Sequence, residues 1–151
     1  MFRKYPLTWL VVIAIHILCL FPVPETPLNG VAYIDKWTHL VMFGGLSITF
    51  WYEYLCQHGM QGFFGHGKLH WISFKTLKKD TLSWRTLRIW GLYFPTFLGG
   101  WMEILQATCT NGMRSGDVVD WIADTLGVVL VWGIMLIVVR NFAPRRLQGN
   151  G

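Results

Sequence analysis

Charged side chains are scarce in this sequence. Asp, Glu, Lys and Arg make up 14% of its 151 residues, whereas 53% of the residues are hydrophobic. A chain of this length forms one domain rather than two. The mean hydropathy of +0.39 and the four apolar stretches around the aromatic residues favour an integral membrane protein.

The sequence also lacks the short motifs that mark familiar chemistry. Its three cysteines have no CxxC spacing and predict no disulfide framework. No nucleophile elbow, P-loop or HExxH segment is present. Ser115 is better explained as a turn or cap residue than as a nucleophile. His58, His66 and His70 have no regular ligand spacing, so we predict no metal site there.

Four apolar segments predict the fold, which is all-α: a polytopic membrane protein with a four-transmembrane-helix bundle. The predicted spans are residues 7–21, 38–55, 89–109 and 118–139. The first span also has features of a secretory signal, namely a basic start and an apolar run. It is followed by Pro-Val-Pro-Glu-Thr-Pro rather than a small-x-small cleavage site, so we expect a retained helix and one membrane domain, 1–151.

Basic residues are distributed unevenly between the two sides of the predicted membrane. Of the 13 Lys and Arg residues, only Lys36 and Arg114 fall on the side opposite the termini and the basic loop 57–88. The positive-inside rule therefore predicts a bacterial inner-membrane protein with both termini and this loop in the cytoplasm. The net charge of +5 is then a topology signal. Membrane lipids are the expected partners, and no nucleic acid is predicted.

Polar residues interrupt the apolar segments at the predicted outer face. They are Asp35, Lys36, His39, Glu103, Gln106, Arg114, Asp117, Asp120 and Asp124. The helical rise of 1.5 Å per residue gives those within spans a similar depth. Ionisable groups in spanning segments are unfavourable in lipid, so we expect one polar pocket with a function. The alternative is an ion-pair network that only locks the helices together.

The residue types suggest several roles at this pocket. The candidate catalytic residues are Asp35, His39, Glu103 and Asp120, because carboxylates near an imidazole can transfer protons. The candidate ligand-binding residues are Lys36, Gln106, Arg114, Asp117 and Asp124. Lys36 and Arg114 can hold a phosphate or carboxylate. Oxygen ligands could hold Mg²⁺ or Ca²⁺, although the sequence leaves the identity of any metal open.

At these residues the chain resembles the VanZ-like family of small bacterial membrane proteins. Three patterns occur in the family's order: Asp35-Lys36-x-x-His39, Glu103-x-x-Gln106, and Arg114 followed by Asp120-x-x-x-Asp124-x-x-Gly127. The family usually has Asn where this chain has Asp124. Founding members are associated with low-level teicoplanin resistance, so the resemblance implies a cell-envelope role linked to glycopeptide resistance or envelope modification. It does not supply a mechanism.

Three functions are compatible with these features. The first is binding of a cell-envelope lipid or lipid-linked cell-wall precursor headgroup at the outer pocket. The second is a membrane enzyme that hydrolyses or transfers a group on a lipid-linked substrate by carboxylate and histidine acid–base chemistry. The third is a structural subunit of a membrane assembly. Whether the chain is an enzyme, and its oligomeric state, are left open. Among the acids, Glu103 is expected to matter most because it lies deepest in its span.

Overall fold

The computed structural model describes residues 3–20, 33–60, 64–65, 68–69, 77, 82–110 and 116–142. Helices dominate this part of the chain: α1 (Pro6–Leu20), α2 (Ile34–Gln57), α3 (Trp84–Arg88), a π-helical segment (Ile89–Tyr93), α4 (Phe94–Cys109) and α5 (Val118–Phe142). The exception is a short antiparallel pair, β1 (Phe64–Gly65) with β2 (Lys68–Leu69). Because α3, the π-helical segment and α4 run on without a break, the described residues form four long helices, and the predicted all-α class is confirmed.

Only α5, among the described helices, is long and apolar enough to cross a membrane. Its Val118–Asn141 stretch has a mean hydropathy of 2.4. Helix α1 is also apolar but contains only 15 residues, fewer than the roughly 20 that a typical span needs. One candidate membrane-spanning helix is therefore established, and the other three spans stay predictions.

The third long helix begins earlier than the sequence suggested. It starts at Trp84, within the predicted loop 57–88, rather than at residue 89. The reason is a side-chain cap: Ser83 Oγ accepts a hydrogen bond from the Thr86 backbone N–H at 3.3 Å. Such a bond satisfies one of the free donors at a helix start.

A proline shapes the middle of this helix. Pro95 has no N–H and leaves the Gly91 carbonyl, four residues earlier, without its usual helical donor. The backbone widens into the π-helical segment immediately before this point. Ser47 Oγ on α2 donates to the Gly91 carbonyl at 3.0 Å. The neighbouring helix thus satisfies a carbonyl that the proline frees.

Glu53, near the end of α2, holds the start of α1. Its carboxylate accepts hydrogen bonds from the backbone N–H groups of Leu7 at 2.8 Å and Thr8 at 2.9 Å. The Thr8 hydroxyl donates to the same carboxylate at 2.6 Å. A carboxylate at a helix N-terminus also interacts favourably with the helix dipole. The first turn of α1 is therefore capped by a residue distant in sequence.

Helices α2 and α5 pack with their backbones in close contact. A Cβ added at Gly127 would collide with the Leu40 carbonyl oxygen. A Cβ added at Gly44 would lie 3.5 Å from the Gly127 carbonyl oxygen. Because glycine has no side chain, the two backbones can approach this closely. The contact brings the first turns of α2 and α5 side by side.

Two apolar clusters fill the interior beyond those first turns. The nearer cluster contains Val12, Ile15, Cys19, Phe43, Leu46, Leu98, Met102 and Val128. The farther cluster includes Tyr5, Phe50, Trp51, Tyr54, Leu55, Leu87, Val131 and Val139. The buried polar residues at the start of α2 and α5 thus lie at one end of these two apolar clusters.

Candidate functional site

Three helices bring a histidine and two acids together at this end. His39 comes from α2, Glu103 from α4 and Asp124 from α5, and we call these residues the acid–histidine cluster. His39 Nδ1 is hydrogen-bonded to Asp124 Oδ1 at 3.0 Å and lies 3.8 Å from Glu103 Oε1. His39 is 3% exposed, Glu103 is 8% exposed and Asp124 is 0% exposed. One ring nitrogen therefore faces two buried carboxylates.

Two oxygens of the cluster lack hydrogen-bond partners within the described part of the chain. They are Glu103 Oε1 and Asp124 Oδ2. The other Glu103 oxygen, Oε2, accepts the backbone N–H of Asp117 at 2.7 Å. Buried polar atoms are nearly always paired, so two such oxygens in one cluster need an explanation. The arrangement is suited to accepting a proton or a cation.

Lys36 forms a second group of contacts one turn before His39. Its Nζ lies 2.7 Å from Asp117 Oδ2 and 2.5 Å from Asp120 Oδ1. Lys36 precedes the predicted span. Hydrogen bonds from its ammonium raise its pKa well above the usual value, and the bond to Asp117 has a larger effect than the bond to Asp120. The same ion pair, followed by the Val119 N–H, lowers the pKa of Asp117. Lys36 is therefore charged and already paired.

Asp117 connects the two groups. Its Oδ1 accepts the Val119 backbone N–H at 2.9 Å, which caps the start of α5. Its Oδ2 binds Lys36, and its own N–H donates to Glu103. The polar groups of Asp117 therefore hold the site together, and its binding of a ligand stays a prediction.

The charge balance of the whole site is negative. Among the described residues, four carboxylates meet at this end of the fold: Glu103, Asp117, Asp120 and Asp124. Lys36 is the one Lys or Arg that contacts them within the same part of the chain. A buried excess of negative charge attracts protons and cations. The site as described therefore favours cationic over anionic groups.

Three predicted site residues lie apart from the cluster or outside the described part of the chain. Asp35 is exposed in the first turn of α2 and makes no hydrogen bond or ion pair with another described residue. It also does not cap α2, since Tyr33 occupies the N-cap with φ 62° and no side-chain bond. Gln106 is buried but donates to the Cys19 carbonyl at 3.0 Å, which ties α4 to α1. Arg114 lies outside the described residues.

An apolar groove lies beside the site, between α2 and α5. Its volume is about 330 Å³, and Lys36 is one of its lining residues. The other lining residues include Tyr33, Trp37, Leu40, Val119, Ile122 and Leu126. Because Lys36 lines the groove and its Nζ contacts Asp120, a ligand in the groove would lie beside this ion pair.

Sequence reasoning missed the role of a glycine in this site. A Cβ at Gly99 would lie 2.7 Å from Asp124 Oδ2, so a larger residue would displace that carboxylate. A signal was available, because Gly99 lies four residues before Glu103 and hence on the same face of α4. The direct pairing of His39 with Asp124 was also not predicted.

Comparisons with known proteins do not place the chain in a family. No family model, curated protein or solved structure matches it. The likeness to VanZ-like proteins therefore depends on the three short patterns described above.

Proposed function

We propose that this chain is a multi-pass protein of the bacterial inner membrane, with the acid–histidine cluster near the outer face and both termini in the cytoplasm. The distribution of polarity supports this proposal. Ionisable residues are buried between the helices, while large apolar residues point outward on each long helix, including Leu10, Val41, Phe97 and Ile137. Phe97, for example, is 72% exposed. Exposed apolar surface on all sides suits a lipid environment.

The proposed function is binding of a cell-envelope lipid or lipid-linked precursor by its headgroup. The observation that carries it is the apolar groove of about 330 Å³, which shares Lys36 with the polar site. A groove with apolar walls and a polar end suits a ligand with a hydrocarbon chain and a polar head. The VanZ-like resemblance supports a role in the cell envelope.

The charges refine the type of headgroup. The Lys36 ammonium has three N–H donors, and its contacts with Asp117 and Asp120 leave one of them for a phosphate. The neighbouring carboxylates repel a headgroup that carries only negative charge. A headgroup with both a phosphate and an amine suits the site better, because the amine can pair with the acids. Phosphatidylethanolamine and amine-bearing lipid-linked precursors have this chemistry.

Filling the groove tests this function. Ile122 lines the groove, so Ile122→Trp should weaken retention of phosphatidylethanolamine by about tenfold, measured by native mass spectrometry of the detergent-purified protein. Ile134→Trp is the matched control, because Ile134 is also exposed on α5 but is not a groove residue. Equal retention of phosphatidylglycerol, which has no amine, or wild-type retention by a folded Ile122→Trp protein would contradict the proposal.

A second candidate function is supported by the His39–Asp124 hydrogen bond of 3.0 Å. A carboxylate that holds an imidazole by one nitrogen orients the other nitrogen for proton transfer. The alternative is therefore an enzyme that hydrolyses or transfers a group on a lipid-linked substrate. Product formation from a lipid-linked cell-wall precursor by wild-type protein, lost in His39→Gln, would favour the enzyme. Binding without turnover would favour the binding protein.

A further inference from the structure

We propose that His39, Glu103 and Asp124 form a binding site for one divalent metal ion of the zinc type. The ligand atoms come from α2, α4 and α5 and all lie within 4.8 Å of one another. This proposal concerns the protein and the ion alone, so it can fail or succeed independently of lipid binding.

The distances within the cluster suit a small ion. In a tetrahedral zinc site with bonds of 2.0–2.1 Å, neighbouring ligand atoms lie about 3.3 Å apart. His39 Nδ1 is 3.0 Å from Asp124 Oδ1 and 3.8 Å from Glu103 Oε1, and these distances bracket that value. Shifts of a few tenths of an ångström in side chains would bring the three ligands into range.

A second observation points to a bound cation. Glu103 Oε1 lies 3.8 Å from His39 Nδ1 and has no hydrogen-bond partner among the described residues. Asp124 Oδ2, which lies against Gly99, also has none among them. The Asp124 side chain is completely buried. The neighbouring ammonium of Lys36 is held by Asp117 and Asp120 instead. A metal ion would satisfy buried oxygens that otherwise destabilise the fold.

The surroundings of the cluster support the same assignment. The Asp117 N–H holds Glu103 Oε2 at 2.7 Å, which leaves Oε1 as the oxygen nearer to His39. Hydrogen bonds from outside a metal site commonly orient its ligands in this way. Gly99 leaves the space that the Asp124 carboxylate occupies.

The ligand types select the class of metal. Mg²⁺ and Ca²⁺, which the sequence suggested, prefer shells made of oxygen atoms and waters. An imidazole with two carboxylates suits Zn²⁺ and neighbouring transition metals better. Three protein ligands leave a fourth position open, which a water molecule or a phosphate oxygen can occupy.

The test measures binding of Zn²⁺ to tag-free, metal-free full-length protein in detergent. Isothermal titration calorimetry should give one ion per chain, and elemental analysis after desalting should agree. Asp124→Asn keeps the side-chain shape and should weaken Zn²⁺ binding by at least about tenfold, since even residues that only support ligands contribute that much. Asp35→Asn is the matched control and should bind normally, because Asp35 is exposed and outside the cluster.

Three outcomes would overturn the metal site. The first is an absence of stoichiometric Zn²⁺ binding, and the second is preferential binding of Mg²⁺ or Ca²⁺. The third is Zn²⁺ binding that survives Asp124→Asn and Glu103→Gln. In that case the binding would disappear when His58, His66 and His70 are replaced together. If the variants misfold, X-ray absorption at the zinc edge of the wild-type protein decides the question. One imidazole nitrogen with oxygen ligands supports the site, and several imidazoles contradict it.

Discussion

Glu103 combines two conditions that seldom occur in one carboxylate. One oxygen is held by the Asp117 backbone N–H, and the other is buried beside His39 without a hydrogen bond from the described residues. The first bond explains how the side chain is positioned in the folded protein. The second oxygen has no such hydrogen bond, so a purely structural role explains the position of Oε2 but not the burial of Oε1.

We therefore expect Glu103→Gln to fold normally and lose function. The amide oxygen of Gln can still accept the Asp117 N–H, while the negative charge near His39 is removed. Detergent-stable expression should match the wild type, and retention of phosphatidylethanolamine or precursor should fall by about tenfold or more, measured by native mass spectrometry. A fully functional Glu103→Gln protein would favour the third possibility, a structural subunit of a membrane assembly.

At the scale of single elements, α1 depends on residues far away in the sequence. Glu53 accepts three hydrogen bonds from its first turn, and Gln106 donates to the Cys19 carbonyl at its last turn. Neither contact follows from periodicity, because helical spacing shows which residues share a face and not which helix that face meets.

The same limit explains why Asp35 was assigned to the site together with His39. The rotation of α2 is set by its contact with Gly127, and it turns Lys36 toward α5.

What the sequence does predict is the set of helices and most of the polar cluster. Long apolar runs bounded by turn residues are sufficient to predict the helices. For the polar cluster, the unfavourable energy of isolated charges in an apolar segment led to the expectation of one pocket that holds Asp35, His39, Glu103, Arg114 and Asp120. The structure brings His39 close to Glu103, whereas Asp35 is exposed and Arg114 lies outside the described residues. The helix start at Ser83 was missed because the sequence analysis assigned Arg85 and Arg88 to the basic loop 57–88.

Removing the Glu53 cap should loosen α1. Glu53→Ala leaves the Leu7 and Thr8 N–H groups without their carboxylate and should lower the free energy of unfolding by about 2 kcal/mol. Thr8→Val removes only the hydroxyl bond and should lower it by about 1 kcal/mol. Unfolding in mixed micelles measures both. Equal stability of Glu53→Ala and the wild type would show that the cap contributes nothing.

The Pro95 region offers a second test at this scale. Ser47→Ala should lower the free energy of unfolding by about 1 kcal/mol, because the Gly91 carbonyl loses its donor. In a Pro95→Ala background the restored N–H can bond to Gly91, so the same serine substitution should have a smaller effect. A double-mutant cycle measures this difference. Additive effects would mean that Ser47 does not compensate for the proline.

At the scale of the whole molecule, the orientation in the membrane can be tested directly. In a background without native cysteines, Asn111→Cys and Asn29→Cys should react with an impermeant thiol reagent applied to intact cells. Ser73→Cys should react only after the membrane is made permeable, because the loop that contains it is predicted to be cytoplasmic. Labelling of Ser73→Cys in intact cells would reverse the predicted topology.

The two hydrogen-bonded ends of α1 have a consequence for the lipids around it. With 15 residues, α1 is about 22 Å long, whereas the hydrocarbon core of a typical bilayer is about 30 Å thick. Glu53 and Gln106 connect its ends to α2 and α4, so the helix cannot slide along the bundle to reach either surface. In the proposed membrane orientation, we expect the bilayer to become thinner beside α1, which is one of the ways in which a short span is accommodated. Lipids with short acyl chains should therefore gather along this side of the protein.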